Sequence, residues 1–325
     1  MKRYIRLARP FTLVPPLLGI VSGAICAFGS AHNPDPARRV TWAVVLTVAI
    51  GSLCASAMNA ASNIVNQIAD LEIDRRNKPE RPLVTGEISI GRAWAIAVLL
   101  YVLAIAPTWI VVPYPYHTLA ERLRAPLPLH AAFFIYCVGA LATFVYSFPA
   151  LGRTKRHWLA ANVTIAIPRG GLLKVAGWAF VASVAVWEAW AIGGIFALFL
   201  LGATSTKDFS DMEGDREHGC VTLPLKFGVR RAAKIIAPFF VLPWLAIPLL
   251  AWMPDPDRTT ATLLTGNRTL LTALGIGLAA WGGYAAWLLL KNPEDLARTE
   301  NHPAWTHMYL LMMAAQVGFA LAYVF

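Results

Sequence analysis

An all-α, polytopic membrane bundle of nine transmembrane helices, a single membrane-embedded domain over 1–325, is the fold class this chain predicts. Composition is the first reason: 57% of the 325 residues are hydrophobic and only 14% are charged, too apolar for a soluble globule of this length. Nine apolar windows of about 20 residues, the length that crosses a hydrocarbon core, are the second. The third is the distribution of the 28 Lys and Arg residues. Twenty fall at the N-terminus and in 70–92, 149–157, 207–234 and 291–304, against six in the alternate loops, which puts the first set on the cytoplasmic side. The net charge of +10 is therefore topology charge in short loops, with no nucleic-acid partner implied.

The first span, 11–29, follows Lys2-Arg3-Tyr4-Ile5-Arg6-Leu7-Ala8-Arg9. This basic start resembles a signal peptide with small residues near Ala31, but the apolar run is long enough to span and reads as an uncleaved helix. Spans two to four are 41–66, 93–113 and 127–148, the last ending at Tyr146-Ser147 before Arg153, Lys155 and Arg156. Span five, 158–182, contains Asn162, Arg169 and Lys174 and is interrupted by Pro168 and Gly170-Gly171. Cations at that depth are costly unless they face a cavity or snorkel to an interface. Arg169, beside the break, is expected to line a cavity; for Lys174 both placements stand. Spans six to nine are 188–206, 233–253, 269–290 and 305–325. Loops 30–40, 114–126 and 254–268 are short and Pro-bearing, as non-cytoplasmic connections are.

Two polar stretches resist a packing explanation. In 204–225, Asp211 and Asp215 stand four apart and Asp208 three before, on nearly one helical face with Cβ atoms about 5–6 Å apart. At about 6 Å and an effective dielectric of about 20, each pair repels by roughly 3 kcal/mol, so cations are expected there. In 66–82, Asn66, Asp70 and Asp74 again step by four along one face. Mg²⁺ suits such sparse sets, because it keeps waters and prefers one or two carboxylates plus substrate phosphates. Both stretches carry cations, Arg75, Arg76, Lys78 and Arg81 in one and Arg216 and Lys226 in the other. A diphosphate needs that combination of metal-binding carboxylates and neutralising bases; a solvated loop does not. Glu72, Glu213 and Glu217 fall off the main face and read as solvated or paired with Arg. The recurrence of a cluster after the second helix of each four-helix set also hints at an internal duplication.

Other chemistries lack their signatures. The seven histidines show no HxxxH or HExxH spacing, no P-loop or Ser-His-Asp arrangement is recognisable, and the four cysteines form neither a CxxC pair nor a disulfide framework and read as packing residues.

The motif Asn66-x-x-x-Asp70-x-x-x-Asp74 with Arg81-Pro82, together with Lys207-Asp208-x-x-Asp211-x-x-Gly214-Asp215-x-x-x-Gly219-x-x-Thr222-Leu223-Pro224, resembles the paired motifs of the UbiA superfamily of intramembrane prenyltransferases. Ala8-Arg9-Pro10, Tyr146-Ser147 and the helix count extend the resemblance over nearly the whole chain. It implies a bundle around a central cavity, two Mg²⁺ ions, and an isoprenyl diphosphate whose tail reaches laterally into lipid. The implied metal and diphosphate roles fall on Asn66, Asp70, Asp74, Asp211 and Asp215, with Asp208 added. Gln67 stands where the family usually has Asp, which is expected to weaken the metal shell. The second motif is similar to those of the chlorophyll synthase, homogentisate and archaeal ether-lipid branches.

The function expected is Mg²⁺-dependent prenyl transfer from an isoprenyl diphosphate to a small acceptor of aromatic or quinone-precursor, chlorin or lipid type, releasing pyrophosphate. Asp70, Asp74, Asp211 and Asp215 are the catalytic set, all expected to face water. Arg75, Lys78, Arg81, Tyr146, Arg153, Lys155, Arg169 and Arg216 are the substrate-binding set. The active site is expected at the cytoplasmic face of the cell membrane. Two rivals share the carboxylates: a terpene cyclase, whose product needs no second substrate, and a divalent-cation transporter, whose site should lie near the bilayer midplane.

Overall fold

The computed structural model describes residues 2–113, 115–116, 118–256, 261–299 and 302–325. Parts of the loops 114–126, 254–268 and 291–304 thus lie outside the described residues. The described chain is helical throughout, with two isolated bridges and no strands. A short helix, α1 (Lys2–Ala8), precedes α2 (Pro10–Gly29) and α3 (Trp42–Ala69), and α4 (Leu71–Asn77) follows α3 directly. Next come α5 (Ile90–Ile110), α6 (Leu127–Ser147) and α7, which covers 158–179, then α8 (Trp187–Thr206). Beyond α8 lie two short helices, α9 (Met212–Glu217) and α10 (Leu223–Phe227), and then α11 (Val229–Trp252), α12 (Arg268–Lys291) and α13 (Pro303–Val324).

Eight of these are long and apolar enough to cross a membrane: α2, α3, α5, α6, α8, α11, α12 and α13. The expected ninth span is α7, which is helical but of a different kind. Its middle, Ile167–Leu172, is π-helical between two α-helical segments. Pro168 has no N–H to give to an i−4 carbonyl, and a π-turn is a common way to absorb such a break. Caps fix several starts: Thr41 accepts from Val44 N, Ser89 from Arg92 N, and Asn267 from Thr269 N and Leu270 N.

The spans close into a ring, α2 on α3, α3 on α5 and α6, α6 on α7, α7 on α8, α8 on α11, α11 on α12, α12 on α13, and α13 back on α2. Large apolar side chains such as Leu46, Leu53, Leu99, Leu103 and Leu141 remain exposed on the outside of this ring, which is how lipid-facing helices are dressed. The second half of α7 crosses the interior and packs on α2. There a Cβ on Gly23 would stand 2.5 Å from the Lys174 carbonyl oxygen, and one on Gly177 2.3 Å from that of Ile20; only glycines admit so close a crossing.

Lys174 sits at the crossing and does not snorkel. It is 2% exposed, donates to Ser22 Oγ at 2.7 Å and lies 4.5 Å from the Phe196 ring centroid. Burial among a hydroxyl and an aromatic face thus replaces both placements left open by the sequence.

Candidate active site

Inside the ring, one cavity of about 630 Å³ opens between both acidic stretches. The first stretch enters it at the end of α3. Asp70 is the residue at which α3 stops and α4 begins, so Asn66, Asp70 and Asp74 are carried along one face through a helix junction. Ser147, at the end of α6, donates its Oγ hydrogen to Asn66 Oδ1, which fixes that carboxamide. Gln67 lies in the same wall, but its Nε2 donates to Leu7 O at 2.8 Å and Asn63 O at 3.2 Å. It fastens α1 to α3.

Asp70 and Asp74 are each held by cations of the chain itself. Lys155 Nζ pairs with Asp70 Oδ1, with Arg153 Nη2 at 3.8 Å from the same oxygen. Arg81 Nη1 pairs with Asp74 Oδ2. Asp74 is only 5% exposed, which corrects the expectation that it faces water. Burial raises its carboxyl above the ordinary value against the opposing pull of Arg81, Arg9 and Lys78.

The second stretch enters from the end of α8. Asp208, Asp211 and Asp215 all line the cavity, with Asp211 preceding α9 and Asp215 within it. None of the three makes an ion pair among the described residues. Burial first, and then the neighbouring Asp211, pushes Asp215 up to about 6, and Asp208 is raised by burial and then by Asp215. The repulsion expected from the spacing is therefore present. The two stretches are tied together outside the cavity: Arg76 Nη1 meets Glu217 Oε2 at 2.6 Å and its Nη2 lies 3.8 Å from Glu213. Val221 N donates to Arg156 O at 3.0 Å, anchoring the turn that carries Lys155; burial holds the Lys155 ammonium down at about 8.

Of the expected substrate-binding residues, Lys78, Arg81, Tyr146, Lys155 and Arg169 line the cavity. Arg153 reaches it only through Asp70. Arg75 and Arg216 do not line it; both are exposed, and Arg75 is taken by Glu72 at 2.8 Å. A helical step of one residue turns the side chain about 100° away from the Asp74 and Asp215 faces. Arg169 is exposed although it lies in mid-span, and its place in the wall shows that the exposure is to the cavity. Cys220, expected to be a packing residue, also lines it.

Sequence reasoning gave no binding role to Arg9, Lys207 or any particular aromatic residue. Arg9 lines the cavity with φ 56°, ψ 67°, and burial, then Arg81 and Arg169, lower its pKa; its signal was the Arg-Pro step at the start of α2, read as a topology charge. Lys207 Nζ lies 4.8 Å from the Trp305 ring centroid. Phe11, Trp305 and Tyr309 form a contiguous aromatic surface, with ring centroids 6.0 Å and 4.8 Å apart, and Trp158 is the other indole in the wall.

Among the described residues no three His, Cys, Asp or Glu side chains form a cage for one ion. The donors nevertheless fit a hard cation shared with phosphate. They are carboxylate, carboxamide and hydroxyl oxygens, and Thr222 Oγ1 and Gln316 Oε1 line the cavity buried without a hydrogen-bond partner. Such a set suits one or two carboxylates completed by substrate oxygens. The carboxylates also sit at helix ends rather than at mid-span, unlike the site a cation transporter requires.

Fold and cavity define a polytopic helical membrane enzyme with paired acidic motifs at the helix ends. The chain belongs to the UbiA prenyltransferase family, whose model matches residues 16–311. It is 30% identical over 313 residues to a probable homogentisate phytyltransferase 2, chloroplastic, of Oryza sativa subsp. japonica, covering 94% of this chain and 74% of the relative. It is 26% identical over 251 residues to the digeranylgeranylglyceryl phosphate synthase of Methanobrevibacter smithii, covering 77% and 78%. In fold it is similar to a UbiA homolog from Archaeoglobus fulgidus bound to DMAPP and Mg²⁺, with a TM-score of 0.66 at 19% identity over 99% of both chains.

Proposed function

We propose that the chain, as one domain, transfers a prenyl group from an isoprenyl diphosphate to a small acceptor and releases pyrophosphate, in a cell membrane with the cavity mouth on the cytoplasmic side. The observation that carries this is the convergence of both acidic motifs, six cations and an aromatic wall on one cavity. Asn66, Asp70 and Asp74 on one side and Asp208, Asp211 and Asp215 on the other would hold Mg²⁺, two ions in this reading, shared with the diphosphate. Bound there, the metal neutralises the leaving pyrophosphate.

The chain's own residues do the rest. Lys78, Arg81 and Lys155 meet phosphate oxygens, and Arg153 steadies Asp70. Phe11, Trp305 and Tyr309 offer π faces to the allylic cation as the C–O bond lengthens. Closure of the interior by the α7 crossing keeps bulk water from quenching it. Arg169, in the cavity wall at the π-helical break of α7 rather than at a helix end, orients the polar head of the acceptor, which is of aromatic or quinone-precursor, chlorin or lipid type.

The test is incubation of the purified protein with Mg²⁺, farnesyl or geranylgeranyl diphosphate and a mixed acceptor panel, with products identified by mass. A prenylated acceptor is expected. A cyclised terpene formed without acceptor would replace this reading with the cyclase, and an intact donor throughout would refute both.

A further inference from the structure

The two motifs differ in one respect that their sequences hide. Asp70 and Asp74 are each paired with a cation of the chain, Lys155 and Arg81; among the described residues Asp208, Asp211 and Asp215 make no ion pair, and Lys155 acts on Asp215 only from beyond contact distance. We infer that the site loads in a fixed order: a divalent cation enters the 208–215 motif without donor, and the 66–74 motif takes its cation only together with the diphosphate. This deepens the prenyl-diphosphate reading and rests on it.

The reason is charge balance at contact distance. A dication approaching Asp70 or Asp74 in the donor-free protein meets a carboxylate already neutralised and an ammonium or guanidinium beside it, so the gain is cancelled by like-charge repulsion. At Asp208, Asp211 and Asp215 the same ion relieves a repulsion. The diphosphate changes the first case. Its oxygens offer Lys155 and Arg81 another anionic partner, and as these cations move to phosphate they release Asp70 and Asp74 to the second ion. Lys155 is placed for that exchange, because its turn is anchored to the second motif through the Val221 N to Arg156 O bond of 3.0 Å. Lys155 and Arg81 are thus built-in counter-ions. Linkage makes the effect reciprocal: the donor tightens the second ion as much as that ion tightens the donor.

The test counts Mn²⁺ retained per chain by equilibrium dialysis of the full-length protein in neutral-lipid nanodiscs, with and without farnesyl thiodiphosphate, which resists ionisation. One ion is expected without the analogue and two with it, the second tightened about tenfold or more. Asp211→Asn should lose the donor-free ion and Asp74→Asn should keep it. Lys155→Met should bind a second ion without the analogue. Two ions in the donor-free wild type, or loss of the donor-free ion in Asp74→Asn with retention in Asp211→Asn, would overturn the order while leaving the prenyl-diphosphate reading intact. No Mn²⁺ retained under either condition refutes that reading, and the order with it.

Discussion

Arg76 and Glu217 meet at 2.6 Å, joining α4 to α9 outside the cavity, whose wall contains neither residue. Both side chains are solvent-exposed, at 59% and 37%, so the pair is worth at most about 1 kcal/mol to stability. Its consequence is positional, since it sets the spacing of the two acidic motifs. Glu217→Gln and Arg76→Met are expected to leave the melting temperature nearly unchanged and to raise KM for the prenyl diphosphate several-fold. Unchanged KM in both variants would make the pair incidental.

Asp70→Asn, Asp74→Asn, Asp211→Asn and Asp215→Asn should each reduce pyrophosphate release by at least about a hundredfold, the scale of losing one electrostatic contact to the leaving group. Asn is the instructive substitution at Asp74, because Ala would also leave the partly buried Arg81 without any hydrogen-bond acceptor at that position. Wild-type turnover in any one variant, measured by released pyrophosphate, would remove that residue from the catalytic set.

Turnover should vanish in EDTA and return with Mg²⁺ or Mn²⁺, hard ions suited to carboxylate and phosphate oxygens, with Ca²⁺ restoring little. Full turnover in EDTA would mean that the cations of the chain suffice.

Asp215 is raised from an ordinary 3.8 to about 6, so the folded chain keeps a proton that the unfolded chain gives up. Its stabilising contribution is complete below the ordinary value and is lost as pH rises through about 6. The metal-free wild type should therefore lose melting temperature between pH 4 and pH 7 (~3 pH units) relative to Asp215→Asn, and Mg²⁺ should restore it at the upper end, where the carboxylate is free to bind. Parallel melting curves for the two proteins would contradict the shift.

Arg169→Leu should raise the acceptor KM while leaving the affinity for prenyl diphosphate nearly unchanged, because the guanidinium opens on the cavity in mid-span and the donor is held at the helix ends. Product formation at varied acceptor and donor concentrations separates the two. An unaltered acceptor KM in a folded variant would leave Arg169 a structural cation.

The sequence by itself determined the membrane bundle, eight of its nine expected spans, the uneven distribution of basic residues between alternate loops and the two acidic motifs. All of these rest on local patterns: apolar runs of bilayer length, short basic loops, and carboxylates repeating every four residues with no packing use. It also marked Arg169, since a guanidinium beside Pro168 in mid-span has few places to go. Tertiary structure decided what the helical period cannot express. Whether Arg81 meets Asp74, Lys155 meets Asp70, or Arg76 meets Glu217 depends on which loops fold over one another, and Arg75 and Arg216 fell outside because one helical step turned them away. Lys174 was undecidable from its own span: its partners, Ser22 and Phe196, come from two other helices brought to it by the close crossing at Gly23 and Gly177.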